Sequence, residues 1–215
     1  MPYYVGLDLG QAAAYTAVSV VHDTFISPTQ GYEVPSLQLV HLERYEKGTS
    51  YVDIVDRVTQ LVRDEALHPW EREMNTYHHK QAHPTLIIDA TGVGAPVTDL
   101  FTKKRVRFVG VTITGGDNVI TAGTRKYRVP KRDLVSALVV PFHSGELKIA
   151  EDLDLWPTLK KELLNFKRKI NLNTAQDSYE HWREGDHDDL VLATSLAVWF
   201  CRRKTKGTRR LKVIR

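Results

Sequence analysis

The chain is poor in the features that would send it to a membrane, an oxidising compartment or a nucleotide-driven motor. Its single cysteine, Cys201, excludes an internal disulfide framework and fits a reducing cytosol. The apolar neighbours of Cys201 mark a packed thiol rather than a nucleophile. No apolar run reaches the roughly 18 residues of a membrane span, so no membrane partner is expected. The start, "MPYYVGLDLG", lacks the basic opening and small-residue cleavage site of a signal peptide. No G-x-x-x-x-G-K-[ST] loop occurs, so nothing points to a P-loop ATPase. Internal repeats and low-complexity linkers are absent as well.

What is there reads as one globular domain. With 215 residues, 42% hydrophobic and 26% charged, the chain can bury one substantial core. The net charge of +4 is unevenly spread, because "RRKTKGTRRLKVIR" holds eight Lys or Arg and no acid. Removing those eight leaves a net −4 over the 201 residues before them. The expectation is a folded domain over 1–201 and a mobile basic tail over 202–215, suited to polyanions such as nucleic acid.

The hydrophobic periodicity changes along the chain. "YYVGLDLG", "AYTAVSVVHD" and "SLQLVHLERYE" read as three strands with short connections, hence an antiparallel meander. "SYVDIVDRVTQLVRDEAL" switches to a helical period, with Val52, Val55, Val58, Leu61 and Val62 on one face. His68 to Pro84 reads as a polar loop. "TLIIDATGVGAPVTDLFTKK" is a buried strand, a glycine turn and a helix start, and "VRFVGVTI" is a fifth strand. This later alternation of strand and helix favours parallel pairing. "GGDNVITAGTRKYRV" reads as a hairpin or extended excursion, and three further helices follow. The expected fold is α/β: a mixed five-stranded sheet, antiparallel meander plus parallel strands, flanked by helices.

The chemistry lies in aspartates. Asp8 stands inside the first strand, and Asp89 ends "LIID" at the carboxyl end of a buried strand, where α/β sheets bind ligands. "EGDHDDLVLATSLAVWF" crowds Glu184, Asp186, Asp188 and Asp189 against a segment with no further charge before Arg202. Capping a helix needs fewer carboxylates than this. Isolated carboxylates in buried strands are costly unless paired or bound to a cation. If the first and fourth strands are neighbours, Asp8 and Asp89 meet, and the last helix can bring its aspartates to the same point. All-oxygen ligation then suits Mg²⁺ or Mn²⁺ rather than Zn²⁺.

"GLDLG", "LIIDATGVG" and "GDHDDLVLATSLA", in this order, resemble the C-terminal nuclease domain of phage large terminases, over Met1 to Cys201. The resemblance implies a ribonuclease H-like fold. It also implies an endonuclease that hydrolyses double-stranded DNA with little sequence specificity. Asp8, Asp89, Asp188 and Asp189 would be its catalytic residues and hold one or two Mg²⁺ or Mn²⁺ ions. Matching "DDLVLA" to the family favours Asp189 as the core ligand, with Asp188 at a second metal or capping the helix. The setting implied is phage DNA packaging in the cytoplasm of a bacterial host. The sequence carries no motor motif, so it reads as either an excised nuclease domain or a free-standing relative, for which a separate ATPase motor or portal component would be the partner.

Substrate contact is expected from "TRKYRVPKR", which supplies Arg125, Lys126, Arg128, Lys131 and Arg132, with Lys167, Arg168 and Lys169 as a second patch. Each suits phosphate positioning rather than base reading. His68, His78, His79 and His83 share one loop but match no zinc spacing. Gly92 and Gly94 lack the remainder of a dinucleotide fingerprint and fit a backbone passing close to a metal or phosphate. His187 fits either a contact to the scissile phosphate or a place in the cap. Trp182 and Trp199 fit packing. Three alternatives remain open: an actin-like ATPase fragment, a Holliday-junction resolvase-like nuclease using Asp186 and Asp189, and a non-catalytic DNA-binding module.

Overall fold

The structure is a computed structural model and describes residues 1–10, 14–29, 32–72, 79–92, 94–172 and 187–208. His78, Trp182, Glu184, Asp186 and the tail beyond Thr208 lie outside the described residues, as do the side chains of His79, Lys167, Arg168 and Lys169.

The meander forms as expected. Strands β1 (Tyr3–Asp8), β2 (Thr16–Thr29) and β3 (Tyr32–Tyr45) pair antiparallel, with Asp8 opposite Ala17 and Thr16 opposite Tyr45. Helix α1 (Tyr51–Arg63) starts at Ser50, whose hydroxyl accepts from the Asp53 N–H at 3.3 Å. Its buried face is Ile54, Val55, Val58 and Val62. Val52, expected on that face, is 53% exposed, because the stripe is set one residue further along.

The stretch from His68 to Pro84 is not wholly loop. β4 (Trp70–Arg72) and β5 (His79–Gln81) pair as a separate two-stranded ribbon. The later elements are β6 (Thr85–Asp89), α2 (Gly94–Lys103), β7 (Phe108–Thr114), β8 (Ile120–Gly123), β9 (Lys126–Pro130), α3 (Lys131–His143), β10 (Leu147–Ile149), α4 (Trp156–Leu172) and α5 (Asp189–Thr208).

The main sheet has eight strands in the order β10-β3-β2-β1-β6-β7-β9-β8, not five. The meander and the parallel pairs β1–β6 and β6–β7 are those expected. The hairpin β8–β9 extends one edge, because β9 pairs parallel with β7. The three-residue β10 extends the other beside β3. A strand that short carries no periodicity to read.

Side chains alternate across this sheet. Val5, Leu7, Leu86 and Ile88 join the core under α1 and α2. Tyr4, Ile87, Val109 and Val111 join the core with residues of α3, α4 and α5. By the same alternation Gly6, Asp8 and Asp89 belong to the α5 face. Helix α5 is buried from Asp189 through Cys201, packed against β1, β2, β6, α3 and α4. Leu190 and Leu196 are fully buried, and each contributes about 2 kcal/mol relative to exposure. Cys201 and Trp199 are packing residues, as expected. The helix does not stop at Cys201 but continues to Thr208, since Arg and Lys extend a helix readily. Arg202 pairs with Glu146 at 3.2 Å, and Arg203 lies 5.0 Å from the Tyr127 ring centroid. No helix among the described residues is long and apolar enough to cross a membrane.

Candidate active site

Asp8 and Asp89 meet through strand register. β1 and β6 are parallel, with Leu7 beside Ile88, so the next residue of each strand is an aspartate at the carboxyl end. Both point to the α5 face, and both are 7% exposed. Their carboxyl groups lie close enough to interact directly. Burial raises the Asp8 pKa well above the usual carboxylate range, and repulsion from Asp89, Asp188 and Asp189 adds to it. Burial also raises Asp89, against stabilising hydrogen bonds from Thr91. The Thr91 N–H donates to Asp89 Oδ1 at 2.7 Å, and the Thr91 hydroxyl accepts from the Ile113 N–H of β7 at 2.7 Å. The turn at Gly92 (φ 78) follows directly. Asp89 is thereby oriented from two strands.

Asp189 reaches the pair because α5 touches β1 backbone to backbone. A Cβ on Gly6 would stand 1.9 Å from the Ala193 carbonyl oxygen and 3.1 Å from the Ala197 nitrogen. Only glycine permits that approach. Asp189 lies one helical turn before Ala193 on the same stripe, hence on the sheet side. It is 5% exposed, and burial raises its pKa against the pull of Arg44.

Asp188 borders the pair as well, its charge adding to the repulsion on Asp8. Its backbone carbonyl accepts the first helical bond, from the Leu192 N–H at 2.9 Å, and its carboxylate binds the Lys131 ammonium at 2.6 Å. Its side chain is therefore not the cap. The cap comes from α4, where Glu162 Oε2 accepts from the N–H groups of Leu190 and Val191 at 3.1 and 3.2 Å. Glu162 is 6% exposed, and burial lifts its pKa to about 7 against the attraction of Arg44. The Arg44 guanidinium, on β3, donates to Glu162 Oε1 and lies 3.5 Å from Asp189 Oδ2. Its other neighbour is the Tyr15 ring, 4.8 Å to the centroid. His187, half-exposed, stands edge-on to Tyr15 and 3.8 Å from Asp189 Oδ2.

Sequence reasoning missed Arg44, Glu162, Thr91 and Gly6. One signal was present: Glu162 sits three residues after the buried Leu159, on the apolar face of α4.

The five cations of "TRKYRVPKR" do not form one patch. β9 carries Arg125 and Lys126 to the amino end of the parallel strands and Lys131 to the carboxyl end, beside Asp188. Arg128 is exposed on the face opposite Tyr127 and Val129, which pack toward α5. Arg132 pairs with Asp117 at 2.8 Å.

The donors, buried carboxylate oxygens whose mutual repulsion a cation would relieve, suit a hard divalent ion. Among the described residues no three His, Cys, Asp or Glu side chains are gathered closely enough to hold a metal ion. Lys131 and Arg44 lie beside Asp188 and Asp189 as counter-charges.

Neither a known protein family nor a curated protein sequence matches the chain. Solved structures do. The large terminase nuclease from thermophilic phage G20c superposes with a TM-score of 0.52 at 20% identity, covering 91% of this chain and 80% of that one. The same nuclease with bound zinc gives 0.50 at 19% identity, over 91% and 79%. The human cytomegalovirus terminase nuclease domain gives 0.49 at 14% identity, over 93% and 83%. At such identities the likeness is one of fold. The chain has the ribonuclease H-like fold of large terminase nuclease domains.

Proposed function

We propose that the chain is a divalent-metal-dependent endonuclease that hydrolyses phosphodiester bonds of double-stranded DNA with little sequence preference. The observation that carries this reading is the Asp8–Asp89 pair, two buried carboxylates forced together at adjacent strand ends with a third, Asp189, held over them by α5.

Asp8, Asp89 and Asp189, with Asp188 beside them, would hold one or two Mg²⁺ or Mn²⁺ ions. Bound there, the ions would supply the charge stabilisation that an in-line displacement at phosphorus requires. The protein's own part is positional. Thr91 orients Asp89, Glu162 fixes the start of α5, and Arg44 restrains Asp189. Lys131, which pairs with Asp188, would exchange that carboxylate for a DNA phosphate. Arg132 stands next to it, whereas Arg125 and Lys126 lie at the far edge and serve DNA only away from the cut. In a packaging role, in the cytoplasm of a bacterial host, the partner would be a separate ATPase motor or portal component. The basic residues beyond the globular domain would add salt-sensitive affinity.

Cleavage of supercoiled and linear plasmid in Mg²⁺ or Mn²⁺ tests the reading. Asp89→Asn removes ligand charge at nearly constant volume and should lower cutting by about a thousandfold or more, the scale of losing a principal electrostatic group. Chelator should abolish cutting by the unmodified protein. Undiminished cleavage by Asp89→Asn, or cleavage in excess chelator, overturns the assignment. Preference for a four-way junction over linear duplex would redirect it to a junction resolvase.

A further inference from the structure

The opposite edge of the sheet carries a second concave feature, built from residues the nuclease reading does not use for chemistry. A cavity of about 720 Å³ opens where β6 and β7 begin, at Thr85 and Phe108. Its lining includes five cations, Arg63, Arg105, Arg107, Arg125 and Lys204, and no Asp or Glu. β6 runs from this cavity to Asp89, a path of about 13 Å at the usual rise of a strand.

These cations are not a single basic run. They come from the end of α1, the α2–β7 connection, the β8–β9 turn and the last turns of α5. A charge run is ordinarily a solvated face; convergence from four separate segments on one concavity needs another reason. Backbone conformation adds an independent observation. Among the described residues only two non-glycine residues have positive φ, Arg105 (58°) and Arg125 (60°), and both line this cavity. The left-handed region disfavours any residue with a Cβ, and persistent outliers of this kind gather at ligand sites. One wall is further ordered by His68, whose Nε2 lies 2.9 Å from the Val62 carbonyl oxygen while its Nδ1 lies 3.0 Å from Nδ1 of His83.

Five like charges around one hollow repel, and a polyvalent anion offsets that repulsion. Guanidinium groups favour phosphate, which they can grip through two parallel hydrogen bonds. The volume exceeds what one phosphate fills and lies in the range of nucleotide-sized ligands. Phe108, Tyr127 and Phe200 provide an apolar side.

We propose that this cavity binds clustered phosphate groups, as a polyphosphate of the nucleotide class or as consecutive phosphates of a nucleic-acid strand. The site does not depend on the nuclease reading.

Isothermal titration of the full chain in excess chelator, which removes any metal-bridged binding at the aspartates, tests the idea with pyrophosphate and ATP as probes. Both should bind saturably, and more tightly than orthophosphate. Arg107→Glu combined with Arg125→Glu should weaken binding at least tenfold, and the single change Arg107→Gln should weaken it measurably. The charge-matched pair Lys148→Glu with Lys160→Glu, exposed on β10 and α4, should not. Thermal unfolding establishes that each variant is folded. Displacement of ATP by a 5′-phosphorylated single-stranded decanucleotide supports the site with nucleic acid as its source of phosphate. Retention of ATP supports it with the free polyphosphate. Absence of saturable binding, or equal weakening by the two charge-reversed pairs, overturns the proposal.

Discussion

The two edges of the central sheet carry opposite charge and treat it differently. At the carboxyl ends of β1 and β6 the aspartates are buried, and the protein partly answers their charge with Lys131 and Arg44. At the amino ends the cations line an open cavity with no carboxylate among the lining residues. Between the edges the strands are apolar, with Val5, Leu7, Leu86, Ile87 and Ile88 fully buried. Strand direction is what keeps the charges apart. Parallel β1, β6, β7 and β9 bring their ends together in register, so residues distant in sequence share an edge according to which end of a strand they occupy. A buried cluster of one sign is unstable without a counter-charge, whereas an exposed one is tolerated by solvent.

The largest test of the acidic edge compares its two adjacent aspartates. Asp189→Asn should eliminate cleavage with either ion, because Asp189 is the more deeply buried of the two and its charge bears on Asp8. Asp188→Asn should leave residual cutting, greater with Mn²⁺. Its carboxylate is only partly buried and already paired with Lys131, so its loss removes a charge that is partly neutralised. Cleavage rates with folding checked by circular dichroism decide it. A dead Asp188 variant beside an active Asp189 variant would reverse the assignment.

Gly6→Ala should follow in size. The added methyl cannot coexist with the Ala193 carbonyl oxygen, so α5 must shift from β1. We expect a loss of about 2–3 kcal/mol in unfolding experiments, the usual scale of overpacking, and reduced cutting even below the melting temperature. Wild-type stability in this variant would mean that α5 does not rest on β1 as described.

A smaller effect separates the edges by pH. Asp8, Asp89, Asp189 and Glu162 all have raised pKa values, Glu162 from 4.5 to about 7. Where the folded pKa exceeds the unfolded one, the folded state binds more protons, so stability falls as pH rises through that interval. Metal-free protein should therefore lose about a few degrees of Tm between pH 5 and 7.5. Asp8→Asn should flatten the decline, and Mg²⁺ should raise Tm more at pH 7.5 than at pH 5. Changes at Arg107 and Arg125 should leave the slope unaltered. A Tm that climbs over this range without metal contradicts the charge state assigned to the acidic edge.

Much of the frame was legible in the residues. "GLDLG" and "LIID" are apolar strands ending in aspartate, and apolar periodicity suffices to bury such strands and pair the meander. The crowding at Asp188 and Asp189 showed where the last helix begins. The hairpin around Gly123 to Lys126 was visible too, but not that it would join the sheet through β7. Glu162 and Arg44 look like ordinary surface charges in "KKELL" and "LERYE". Their roles depend on partners 28 to 145 residues away, and local pattern carries no information about such distances.

By itself the sequence determined which segments must be buried, where like charges would be trapped at their ends, and hence that a cation or a set of partners was needed. Periodicity and desolvation act locally, residue by residue, and they are enough for that. Only the tertiary structure decided how deeply each of the last two aspartates lies, Asp189 buried and Asp188 partly exposed, since Gly6 meeting Ala193 sets how α5 rests on the sheet. It alone decided that Glu162 caps α5. And it alone split "TRKYRVPKR" between two edges, because a single strand of five residues carries Arg125 and Lys131 to opposite ends of the sheet.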